Sequence, residues 1–142
     1  MEFDSSLDSR VRLAAFRFLE ETTHLKGEVF SRNTLLEGFK FDNIRIPLIS
    51  PQGIFKPKIL KFPLTITTVP PNEKKSKPYD GNFNGENLEY RYRGTDPNHP
   101  DNVGLRKAMK LQLPLIYFFG LVPNKYLPCW PVPRHLKVGH MS

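Results

Sequence analysis

The apolar positions of this chain change period along its length. From about Asp8 to Lys26, Val11, Ala14, Ala15, Phe18 and Leu19 recur at spacings of three and four, and Gly27 follows, which predicts an amphipathic helix ended by a glycine. Ser31 then offers a hydroxyl cap to a shorter helix, Arg32 to Glu37, closed by Gly38. Next come Ile44-Arg45-Ile46-Pro47-Leu48-Ile49, turn formers from Ser50 to Gly53, and Ile54-Phe55-Lys56-Pro57, the outline of a hairpin. Leu64 to Val69 is strand-like by its β-branched content, and the stretch from Pro70 to Pro78 holds no apolar residue and reads as an exposed loop. Beyond it the pattern gives a strand Glu89 to Arg93, a polar loop, a helix Asn102 to Gln112 capped by Asp101, and a buried strand Leu115 to Phe119. A last strand, Tyr126 to Val132, is expected at a sheet edge, because Pro128 and Pro131 have no N–H to give a neighbour.

These elements predict an α+β chain with a division between 1–62, helical with a basic hairpin, and 63–142, rich in strands. Two helices and a hairpin in that order are compatible with a winged-helix-like element, whose wing would carry Lys56, Lys58 and Lys61. Any basic hairpin would look alike.

Charge changes the picture more than length does. Across 142 residues, 21 Lys and Arg face 14 Asp and Glu, a formal charge of +7, which attracts polyanions: nucleic acid, an acidic membrane surface or the ribosome. Aromatic residues make up 12%, more flat rings than so small a core requires. Cys129 is the sole cysteine, so the chain has no internal disulfide and no cysteine-rich zinc site, and it suits a reducing cytosol. No apolar run approaches a membrane span and the N-terminus has no secretory pattern, so the expected location is cytoplasmic.

The chemistry-bearing residues cluster between Tyr79 and Gly120. Tyr90, Arg91, Tyr92 and Arg93 alternate, which places rings on one face of a strand and guanidiniums on the other. Either the rings are core and the arginines pair with Glu86 or Glu89, or the rings stack on a base and the arginines grip phosphate. The loop Gly94 to Asn102, with Asn98 and His99, is equally readable as an ordered turn or as a phosphate site beside a helix N-terminus. Arg106, Lys107 and Lys110 give that helix a basic outer face, which is either solvated surface or part of the same interface. His24, His99, His135, His140 and the carboxylates show no metal-ligand spacing, and there is no phosphate-cradling glycine loop or nucleophile elbow, so no catalytic residue, metal or cofactor is expected.

Tyr79-Asp80-Gly81, Glu86, Tyr92-Arg93-Gly94, Asp96 to Asn102, the helix to Gln112 and Pro114 to Gly120 occur in the order in which similar pieces occur in SRA domains, readers of modified cytosine within the PUA-like group. The chain resembles that group. The stretches from Arg45 to Pro57 and from Tyr90 to Asn102, with Trp130 to Val132, also resemble the N-terminal part of bacterial proteins that end in an HNH endonuclease domain. Together the resemblances imply a curved, mostly antiparallel PUA/SRA-like barrel carrying the helical element. They imply a specificity module for modified cytosine in duplex DNA, within a modification-dependent restriction system whose nuclease domain is expected outside these 142 residues. By the same resemblance Tyr79 and Tyr92 sandwich an extruded base, Asp80 or Asn82 reads its edge, and Arg91 and Arg93 hold phosphates; the basic hairpin, the polar loop and the basic helix face add Lys56, Lys58, Asn98, His99, Arg106 and Lys107 as further candidate DNA contacts. Two alternatives stay open at this point: a PUA-like RNA binder and an inactive nuclease fragment.

Overall fold

The computed structural model describes residues 3–68 and 98–129, together with the backbone of the strands Asn82–Asn84, Asn87–Tyr90 and Lys137–Val138. The first helix, α1, runs Ser5–Lys26. It starts earlier than the apolar period implies because the Asp4 carboxylate accepts the Leu7 N–H at 3.0 Å, capping the helix about two turns before Val11, its first core residue. Gly27 ends it at φ 97°. Its buried stripe, Val11, Ala15 and Leu19, follows the i, i+4 spacing, but Asp8 and Arg12 are buried on the same side. Arg12 makes this possible by giving Nε and Nη2 to Asp8, at 2.6 and 3.2 Å, and Nη1 to the carbonyl of Pro114 at 2.8 Å. A buried charge is tolerable only when it is paired and hydrogen-bonded in this way.

A two-residue strand β1 (Phe30–Ser31) leads into α2 (Arg32–Glu37), where the Ser31 hydroxyl accepts the Thr34 N–H at 3.2 Å and Gly38 ends the helix, as the sequence predicts. The hairpin that follows departs from expectation. Ile44–Ile46 (β3) does not pair with the 54–57 segment. It turns back on Phe39–Phe41 (β2), with Phe41 opposite Ile44. The cause lies between them: Asp42 and Asn43 have φ of 49° and 65°, the two left-handed residues of the tight turn whose twist matches paired strands, and Asp and Asn adopt that conformation more readily than other side chains.

Freed from β3, Ile54–Phe55 (β4) pairs antiparallel with Thr65–Thr67 (β5). The five-stranded sheet continues through Ile116–Val122 (β8), parallel to β5, then Lys125–Cys129 (β9) and β1, in the order β1-β9-β8-β5-β4. It is a mixed sheet, and among the described strands it is open, with β1 and β4 at its edges. β9 is therefore not the edge strand its prolines predict. β1 reaches only Tyr126 and Lys125, so Pro128 sits on a stretch of β9 with one neighbouring strand, where a missing N–H is tolerated. The strands Asn82–Asn84 (β6), Asn87–Tyr90 (β7) and Lys137–Val138 (β10) form a second sheet, and the expected strand to Arg93 is described only as far as Tyr90.

Both faces of the main sheet are covered. Leu64, Ile116, Phe118 and Tyr126 pack with Val11, Leu19 and Leu35 of the helices on one side. Ile66 and Tyr117 pack on the other with Leu105 and Ala108 of α3 (Pro100–Lys110) and with Ile54 and Phe62. A sheet buried on both faces explains why β8 reads Ile-Tyr-Phe-Phe without polar alternation. The architecture is α+β, and the β4–β5 pairing and both cores cross the expected 62/63 division.

Candidate nucleic-acid interface

The segment joining β4 to β5 is short and pinned. Leu60 N–H donates to the Pro57 carbonyl at 3.1 Å, closing a turn, and Leu60, Phe62 and Leu64 are buried at 2%, 7% and 0% exposure, so the turn is anchored from below. Lys56 folds its ammonium back over this turn and donates to the carbonyls of Leu60 and Pro57, at 3.0 and 3.4 Å. Lys58 and Lys61 project from it, exposed, the latter with Nζ 5.9 Å from the Phe62 ring centre. Three cations thus stand within six residues on a turn that its own backbone holds in place.

Arg45, on β3, joins them. Its Nη1 donates to the carbonyls of Leu36 and Glu37, at 3.1 and 3.2 Å, the free acceptors at the C-terminus of α2. Between β3 and the 55–59 segment lies a groove of about 450 Å³ whose lining, among the described residues, includes Arg45, Lys56 and Lys58 and otherwise consists of Ile, Phe and Pro side chains, with no carboxylate. Carbonyls position Arg45 and Lys56 without cancelling their charge. The result is a small positive field over an apolar floor, where low dielectric strengthens attraction for an anion.

Of the residues singled out in the sequence, Lys56 and Lys58 come together here. Arg45 was missed because its strand was assigned the wrong partner, and the Asp42-Asn43 pair is the local signal that would have found it. Tyr79, Asp80, Arg91, Tyr92 and Arg93 lie outside the described residues. Asn82 falls on β6 opposite Glu89, described as backbone.

Asn98, His99, Arg106 and Lys107 belong to α3 and the residues before it, and none lines the groove. Here the expected helix cap is corrected. His99, not Asp101, is the N-cap: its Nδ1 accepts the Asp101 N–H at 3.1 Å, and Pro100 takes the first helical position, where its lack of an N–H costs nothing. This removes one of the free N–H groups that the phosphate reading of the loop required, and Asp101 adds negative charge to the first turn.

Among the described residues no group of three or more His, Cys, Asp and Glu could hold a metal ion, and no helix is long and apolar enough to cross a membrane. Burial pushes the Cys129 thiol above its ordinary value, so it stays protonated at neutral pH and is a poor nucleophile. No protein-family model matches the chain, and neither does any curated protein or solved structure.

Proposed function

We propose that this chain binds duplex DNA through its phosphates, with the turn 56–61 and Arg45 as the contact region. The observation that carries the reading is the pinned turn itself. Phosphate contacts need cations that are in place before the ligand arrives and whose charge is not already spent on carboxylates: carbonyls hold the Arg45 and Lys56 side chains, and Lys58 stands exposed on the pinned turn beside them. The chain's +7 charge supplies the long-range attraction.

The finer reading rests on the resemblance to SRA/PUA-like and HNH-associated proteins. In it the chain is the targeting part of a modification-dependent restriction system, a winged-helix-like element set on a PUA-type barrel, and it selects duplexes bearing a modified cytosine. Phosphate contacts carry no sequence information, so that selectivity must come from Tyr79, Asp80, Asn82 and Tyr92 or their neighbours.

Fluorescence anisotropy tests both levels. The full chain is titrated with one duplex in three forms: unmodified DNA, DNA with methylated cytosine, and RNA of equal length. Binding to both DNA forms at low salt, tighter for the methylated one, is expected. Equal DNA affinities remove the modified-cytosine reading, and preference for RNA removes the DNA reading.

A further inference from the structure

Two strand edges flank the groove. Among the described strands, β3 ends the two-stranded sheet and β4 ends the five-stranded one. The two-residue turn makes Phe41 and Ile44 the pair that exchanges both backbone hydrogen bonds, so in the next pair, Lys40 and Arg45, the N–H and C=O groups point away from the hairpin partner. Four consecutive residues, Ile44 to Pro47, line the groove. Successive strand side chains point to opposite faces, so a groove that touches all four meets β3 along its edge, where the Arg45 backbone has no strand partner among the described residues.

A duplex's phosphate backbone has nothing to bury against Ile44, Ile46, Pro47 and Phe55. An extended peptide with alternating apolar and acidic side chains does: its backbone completes the β3 edge, one set of side chains covers the apolar floor, and the other faces Arg45, Lys56 and Lys58. We infer that this groove receives an extended acidic peptide segment of a partner protein, which adds to β3 as a strand and competes with DNA for Lys56 and Lys58. Strand addition stands on the groove alone; the competition rests on the DNA-binding reading.

The test uses the full chain and a fluorescein-labelled eight-residue peptide alternating glutamate and valine. It is expected to bind, and an alternating lysine–valine peptide is not. Methylating every second backbone nitrogen, in the register that removes the donors facing β3, should weaken binding at least tenfold with charge and composition kept. Ile44→Asp and Lys58→Glu, both at exposed positions, should each weaken it at least tenfold while leaving the circular dichroism spectrum unchanged. Hydrogen exchange at the Arg45 amide should slow when the peptide is bound. Undiminished binding of both methylated registers, or unchanged Arg45 exchange, overturns strand addition, as does failure of the glutamate–valine peptide to bind a sample whose circular dichroism spectrum shows it folded, whether or not that sample binds duplex DNA. Unlabelled duplex should release the peptide; duplex that binds without releasing it overturns the competition.

Discussion

A Cβ placed on Gly38 would overlap the carbonyl of Ile46, and the residue's φ is +71°, so both space and backbone exclude a side chain. Gly27 shares the backbone requirement, at φ +97°, but nothing lies within 4 Å of its would-be Cβ. The two glycines therefore separate strain from collision. Gly27→Ala is expected to cost ~1–3 kcal/mol, the strain of a backbone region other residues avoid, and Gly38→Ala clearly more, since α2 and β3 must also move apart. Urea denaturation of both variants checks the order, and equal losses would show that the α2–β3 contact yields freely. The Asp8–Arg12 pair poses a different test. Arg12→Ala strands a buried carboxylate and the Pro114 carbonyl, and should cost ~3–5 kcal/mol, whereas Asp8→Leu combined with Arg12→Met should cost less than the single change. Additive losses in the double-mutant cycle would mean that the two charges act independently.

Local signals that carry their own geometry were legible in the sequence at the scale of elements. α2 lies between Ser31 and Gly38 because a hydroxyl and a glycine act on the residues next to them. The hairpin was misassigned because Ser50 to Gly53 is the richer turn by composition, while Asp42-Asn43 is the tighter one by conformation. Strand pairing is non-local: nothing near Thr65 indicates that it lies parallel to Ile116, and the groove exists only because β3 and the 55–59 segment go to different sheets. The Asp8–Arg12 pair was hidden by the ordinary rule that charge on a helix lies outside. If the left-handed turn decides the pairing, relieving its strain should stabilise the hairpin. Asn43→Gly is expected to raise the melting temperature modestly, and Asn43→Val to cost ~1–2 kcal/mol through the same backbone angle. A thermal melt that orders these two the other way would place the cause of pairing in the strands rather than the turn.

For the whole molecule, the question is whether a +7 charge binds DNA as a diffuse field or through one region. The strand order supplies the control. The basic turn adjoins β4 at one edge of the sheet, while Lys125 lies on β9 beside β1 at the other, three strand spacings from β4, or roughly 14 Å. That exceeds the Debye length of about 8 Å at physiological ionic strength, so a DNA phosphate held at the turn is largely screened from Lys125. Lys58→Ala and Lys125→Ala remove the same charge from exposed positions. If binding is localised at the turn, the slope of log K against log salt should fall by ~0.9 for Lys58→Ala, the counterion release of one phosphate contact, and stay unchanged for Lys125→Ala. Lys61→Ala should follow Lys58→Ala, and Lys56→Ala should lose the same increment of slope together with some stability, because its ammonium also holds the Pro57 to Leu60 turn. Equal slopes for Lys58→Ala and Lys125→Ala would mean that DNA answers to net charge alone, and the turn would then be a stable surface feature with no special part in binding.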